Sequence, residues 1–182
     1  GLLIAKGLAE ISIERIRSFL IPLYVLVVAS LLAVKFFGSS ALGAQRWLSF
    51  AGFHVQPSEF AKIMAIITLA AVLDGHEVKK MINLVKPFLV ISLPWILVFL
   101  QPDLGTSLVF AAILIGMLYW AGMPLEWVFL SLSTIFTAIF AGLLPLLLLF
   151  WIPLTGFLAY RSLPRKKLAA LLTVISHCLL AR

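Results

Sequence analysis

The sequence predicts an all-α, polytopic membrane fold with about six to seven membrane segments, each of some twenty apolar residues. Three observations carry that expectation. First, the 182 residues are 63% hydrophobic and only 12% charged, with a mean hydropathy of +1.17. A soluble domain of this size could not hide so much apolar surface. Second, the apolar residues come in uninterrupted runs of spanning length. Third, the charges fall in short clusters between those runs, as membrane topology signals do.

The composition also excludes function classes. The net charge of +7 would suit nucleic acid on a soluble basic face, but these cations are dispersed between apolar runs, so no nucleic-acid partner is expected. A single cysteine, Cys178, rules out an internal disulfide framework and a cysteine metal cluster. His54, His76 and His177 lie far apart with no ligand-type neighbours at helical spacing, so no metal motif is read. The chain opens at Gly1 in what already reads as membrane sequence and closes at Arg182 soon after an apolar run begins. It is expected to be a piece of a longer protein.

Taken in order, residues 2–9 read as the tail of a span and residues 10–17, with Glu10, Glu14, Arg15 and Arg17, as a polar turn. Residues 18–37 form a span, with Pro22 in its first turn and Lys35 placed to snorkel. Residues 38–53 read as a Gly-, Ser- and Ala-rich loop. Residues 57–73 form the next span and residues 74–80 a charged loop. Residues 85–100 form a span with Pro87 and Pro94, the latter expected to kink it. Residues 101–106 are a tight polar turn, and residues 107–122 a span ending in interfacial Tyr119 and Trp120.

Residues 127–160 carry no charge. As one helix they would extend about 51 Å at the α-helical rise, against a hydrocarbon core about 30 Å thick. One strongly tilted helix and two short spans broken near Gly142–Pro145 both remain open. A basic loop, residues 161–167, and a final apolar run, residues 168–181, follow.

Counting Lys and Arg in the short loops puts Arg15, Arg17, Lys79 and Lys80 on one side, which is therefore cytoplasmic. The Arg46 loop and the Asp103 turn fall on the other. The cluster Arg161, Arg165, Lys166 and Lys167 joins the cytoplasmic side only if residues 127–160 cross twice, and the charge rule favours that.

Two polar constellations lie toward the non-cytoplasmic face. In the first, Gln45-Arg46-Trp47 precedes Gln56-Pro57-Ser58-Glu59-Phe60-Ala61-Lys62. Pro57 opens a helix, Glu59 suits the positive end of its dipole, and Glu59 and Lys62 share a face at i,i+3. Each charge would cost about 2.5–3.5 kcal/mol at the membrane centre, which a partner or a wet cavity offsets. The bland alternative is an interfacial ion pair that merely tolerates its place. The second constellation, Gln101-Pro102-Asp103-Leu104-Gly105-Thr106, is turn chemistry, with Asp103 or Thr106 available to cap the next helix. Here a structural turn is favoured over catalysis.

The strings GAQRWL, QPSEFAKI and QPDLGTSL, in this order and separated by spans, resemble the SEDS family (RodA, FtsW and SpoVE), and the RodA branch most closely. The motifs bracket residues 43–108. The likeness weakens beyond about residue 143, and residues 143–182 resemble an extra helical insertion in an otherwise single integral membrane domain of residues 1–182.

The resemblance implies a multi-pass glycosyltransferase of the bacterial cytoplasmic membrane that polymerises lipid II on the outer face during cell-wall elongation. Its implied partners are a class B penicillin-binding protein that crosslinks the strands and other membrane proteins of the elongation complex. A divalent cation, Mg or Mn, would assist the full-length protein. An acceptor hydroxyl displaces the lipid diphosphate, which calls for a base at that hydroxyl and cations at the leaving group.

Residue by residue, Arg46 and Lys62 become the diphosphate-side cations, Trp47 an outer-cavity residue and Glu59 the partner that holds Lys62. Gln56 and Ser58 complete the substrate-binding set. The family's outer-loop aspartate, in a His-Thr-Asp-Phe context, has no counterpart in these residues. The catalytic base is therefore unassigned and the 182 residues alone are expected to be inactive. Two alternatives compete: a flippase or transporter of lipid-linked precursor, which would place charges at midplane on repeat-related broken helices, and a non-catalytic membrane scaffold.

Overall fold

The computed structural model describes residues 13–41, 44–50 and 53–181. Seven α-helices and one small sheet occupy them: α1 (Ile13–Phe37), β1 (Ser39–Ala41), β2 (Ala44–Phe50), β3 (Phe53–Val55), α2 (Pro57–Leu73), α3 (Ile82–Phe99), α4 (Leu104–Trp120), α5 (Leu125–Leu143), a 3₁₀ turn (Pro145–Leu147), α6 (Leu148–Ser162) and α7 (Lys166–Leu180). By length and composition four of these helices can cross a membrane: α1, α3, α5 and the stretch from Pro145 through α6. The apolar α4 is shorter. Large apolar side chains such as Phe19, Ile21, Phe60 and Phe88 are exposed, as a surface facing lipid requires. The chain forms two compact units, Gly1–Ala121 and Gly122–Arg182.

In the first unit four helices alternate in direction, and a handful of hydrogen bonds fix the alternation. Arg17 at the start of α1 pairs with Asp74 at the end of α2. Tyr24 Oη donates to Val90 O at 2.7 Å, and Gln101 Nε2 to Leu31 O at 3.1 Å, so α1 and α3 run the same way. Val78 N donates to Ala121 O at 2.9 Å, returning the end of α4 to the Asp74 end. Leu31, Val34, Leu69, Ile91 and Phe110 are almost fully buried between these helices.

Helix boundaries differ from the sequence reading. Residues 13–17 continue α1 instead of forming a turn; no residue there breaks a helix, and 25 residues, about 38 Å, let its polar end stand clear of the hydrocarbon. Pro22 is therefore interior to α1. Helix α4 begins at Leu104, so Gly105 and Thr106 belong to its first turn. Residues 2–12, the expected tail of an earlier span and most of the expected polar turn, lie outside the described residues.

The largest difference is residues 38–53. The expected loop is an antiparallel meander in the order β1-β2-β3, with Ser39 opposite Trp47 and Leu48 opposite Val55. Gly38 ends α1: a Cβ there would sit 2.3 Å from Val34 O. Strand pairing then satisfies backbone groups that a bare loop against the membrane face would leave to chance.

The second unit settles the 34-residue uncharged stretch. Leu144 leaves helical geometry (φ −142°, ψ 66°) and Pro145 opens the 3₁₀ turn, so the stretch is two helices. They run antiparallel: Trp127 Nε1 donates to Ser162 O at 3.2 Å, while Trp151 Nε1 donates to Thr137 Oγ1 at 3.0 Å. Trp151 also packs against Phe129, Phe136 and Phe140 with ring centroids 5.2–5.8 Å apart. Helix α7 lies close on α6 because Gly156 has no side chain; a Cβ there would meet Val174 Cγ2 at 2.7 Å. Buried Ser133 and His177 join α5 to α7 with Oγ and Nε2 2.9 Å apart.

Candidate functional site

The polar residues singled out in the sequence gather at one end of the first unit, where α1 leaves, the sheet stands and α2 and α4 begin. Gln56 is the residue before α2, with Pro57 at its first position, and the side chain of Gln56 makes no cap hydrogen bond. Proline there costs nothing, since that N–H has no helical partner anyway. Glu59 follows in the first turn, where the helix dipole favours a carboxylate.

One turn on, Lys62 Nζ donates to Glu59 Oε1 at 2.8 Å. The lysine side chain is 23% exposed and the glutamate 55%, so the pair stands at a boundary rather than in the core. Ser58, beside Glu59, is buried, and its hydroxyl has no hydrogen-bond partner among the described residues. Trp47 and Leu48 of β2 are half-buried. Arg46 has its backbone in β2, while its side chain lies outside what is described.

The second constellation starts α4. Asp103 Oδ1 accepts from Thr106 N at 3.1 Å and Oδ2 from Thr106 Oγ1 at 2.9 Å. Both carboxylate oxygens thus serve the first turn of α4. Gln101, also buried, ties this turn to α1 through Leu31 O; Pro102 and Gly105 are exposed.

Between α1, the sheet and α2 lies a groove of about 330 Å³, which neither Glu59 nor Lys62 lines. Its walls are almost wholly apolar: Leu26, Val27, Leu48, Val55, Phe60 and Met64 among them. The sequence reading missed this groove, because it exists only once three consecutive elements have folded against one another. It also missed Ser107, a second buried first-turn hydroxyl without a described partner, on α4. The only signal for it is a serine at the start of an apolar helix.

The carboxylates here do not by themselves form a divalent-cation site. Asp103 is engaged by Thr106, Glu59 by Lys62, and no group of three His, Cys, Asp or Glu side chains stands together among the described residues.

The chain has relatives. The family described as cell cycle protein, FtsW/RodA/SpoVE, matches residues 1–175. A protein from Caulobacter vibrioides named probable peptidoglycan glycosyltransferase FtsW is 34% identical over 129 residues, which are 70% of this chain and 32% of that protein. One from Treponema pallidum, named peptidoglycan glycosyltransferase RodA, is 35% identical over 117 residues, 64% of this chain and 27% of that protein. The chain thus spans about a third of the length of these curated relatives. The crystal structure of the rod shape determining protein RodA from Thermus thermophilus superposes with a TM-score of 0.62 at 24% identity, covering 98% of this chain and 68% of that one. With the match running through nearly the whole sequence, the chain belongs to the FtsW/RodA/SpoVE family, the SEDS proteins, and is a multi-pass membrane protein.

Proposed function

We propose that this chain is part of a peptidoglycan glycosyltransferase that polymerises lipid II at the outer face of the bacterial cytoplasmic membrane. The observation that carries the reading is the family match, with relatives named peptidoglycan glycosyltransferases. The geometry supports it in one respect. Near the start of α2 a boundary-placed ion pair, Glu59–Lys62, stands on one face, while Phe60 and Met64 wall an apolar groove on another. A lipid-linked diphosphate needs both kinds of surface: apolar walls for its chain and cations at its leaving group.

Within that reading, Lys62 and Arg46 assist departure of the diphosphate, and Glu59 positions Lys62. Trp47, Gln56 and Ser58 contribute to the substrate cavity. The acceptor base is not assigned to any residue of this chain, and no step is routed through a metal. A Mg or Mn ion, where the reaction uses one, would be held with the substrate or by other residues of the protein. The working partners are a class B penicillin-binding protein and further membrane proteins of cell-wall elongation.

The test is polymerisation of lipid II by the purified full-length protein. Arg46→Ala and Glu59→Ala should each abolish glycan strands while leaving expression and membrane insertion intact. Normal strand formation by both variants would reject a substrate role for this end of the molecule.

A further inference from the structure

The second unit holds a cleft that the proposed polymerisation does not use. It runs between α5 and α6, measures about 440 Å³ and is open to the surroundings. Its walls are Leu125, Phe129, Leu154, Phe157 and Leu158, and two charged residues, Glu126 and Arg161, complete the lining. Arg161 makes no ion pair among the described residues, with Glu126 or with any other carboxylate.

The charged end is fixed in place. The indole of Trp127 donates to Ser162 O at 3.2 Å, so the first turn of α5 lies beside the last turn of α6. Just beyond, Arg165 adopts left-handed geometry (φ 56°) ahead of α7, followed by Lys166 and Lys167. All three are exposed, and none has an ion-pair partner among the described residues. The cleft lining thus carries one cation, Arg161, and one carboxylate, and three further exposed cations follow within six residues of Arg161 in the chain.

A topology signal alone needs cations but no cleft, and an apolar cleft alone needs no cations. Together they match an amphiphile with an acyl chain and a negatively charged head. A zwitterionic lipid would bring a cation of its own against this cluster. We propose that the cleft binds an anionic phospholipid, with one acyl chain along Phe129, Leu154 and Phe157 and the phosphate at Arg161. Arg165, Lys166 and Lys167 deepen the attraction from the adjoining turn, and Glu126 weakens it. This assignment does not depend on the polymerase reading.

Native mass spectrometry of the full-length protein, equilibrated with phosphatidylglycerol and phosphatidylcholine of identical acyl chains, tests it. Phosphatidylglycerol should be retained preferentially. Arg161→Gln should lower its retention about fivefold, the effect of one cation near a lipid surface. The triple change Arg165→Gln, Lys166→Gln, Lys167→Gln, confined to exposed residues, should lower it further. Glu126→Gln should raise it. Leu158→Trp, which fills the cleft and leaves every charge in place, should also abolish the preference; thermal unfolding of each variant checks that it is folded.

Equal retention of the two lipids overturns the proposal. So does a phosphatidylglycerol preference that survives Leu158→Trp, because that result means diffuse surface attraction. A helix or another protein seated in the cleft would show as no retained lipid and no response to any variant, and would overturn it as well.

Discussion

Tyr24 donates its hydroxyl to the carbonyl of Val90, 2.7 Å away, across two packed helices. The reason lies four residues further along α3. Pro94 has no N–H, so the carbonyl of Val90 lacks its helical donor. A carbonyl unpaired in a membrane interior costs free energy that lipid cannot return. Tyr24, 66 residues away in sequence, supplies the missing hydrogen.

Tyr24→Phe should therefore destabilise the protein by about 0.6–2 kcal/mol, the range for interhelical hydrogen bonds in membranes. The companion variant Pro94→Ala restores the helical donor. In that background Tyr24→Phe should cost markedly less. Unfolding in graded detergent denaturant measures both, and an equal cost in the two backgrounds would show that Tyr24 does not serve the proline gap.

The orientation of the first unit yields a second expectation. Lys79 follows the Asp74 end of α2, where Arg17 also lies. Ser40 is in β1 at the opposite end of α1. On a background lacking Cys178, cysteines placed at Ser40 and Lys79 should react with a membrane-impermeant thiol reagent from opposite sides of the membrane. Labelling of both from one side would refute the alternation of α1 to α4.

A third expectation concerns His177. Its Nδ1 lies 2.8 Å from Thr173 O, which can only accept, so Nδ1 carries a proton. Its Nε2 faces Ser133 Oγ at 2.9 Å, and that hydroxyl also reaches Leu130 O at 2.6 Å. Ser133→Ala strands a buried ring nitrogen, whereas His177→Leu leaves the serine its carbonyl partner. The double variant should be less destabilised than the sum of the two singles, by about 0.5–1.5 kcal/mol for residues in direct contact. Strict additivity would mean that the bond between α5 and α7 contributes nothing.

These pairs show where sequence reading stops. The start of α2 was legible because Pro57 and Glu59 are local signals, and the Glu59–Lys62 pair because i,i+3 is a fixed helical geometry. The break between α5 and α6 was half legible: Gly142 and Pro145 marked it, but the non-helical backbone of Leu144 and the indole bonds of Trp127 and Trp151 decide between one helix and two. Nothing local announces Tyr24–Val90 or Ser133–His177, which exist only once helices 66 and 44 residues apart have packed. The sheet was missed for a related reason. Strands of three residues, Ser39–Ala41 and Phe53–Val55, are too short for alternation to register, and they depend on β2 between them.

Asp103 gives the sharpest test of how a polar residue in this fold should be read. On the proposed polymerase reading, a carboxylate at this end of the first unit invites the role of acceptor base. Its surroundings argue otherwise. It is 7% exposed, and both oxygens accept from Thr106, one from the backbone N–H and one from the hydroxyl. A base must be free to take a proton from substrate, whereas a helix cap must hold its oxygens where these are. Asp103→Asn preserves an oxygen for Thr106 N and leaves an amide that can donate to the Thr106 hydroxyl. Asp103→Ala removes the cap, at a cost of about 0.5–2 kcal/mol.

In the full-length protein, Asp103→Asn should thus retain most lipid II polymerisation with near-normal stability. Asp103→Ala should lower stability, and polymerisation only to the extent that the protein unfolds at the assay temperature. If Asp103→Asn abolishes polymerisation while its unfolding matches that of the parent, the carboxylate acts on substrate and the cap is secondary.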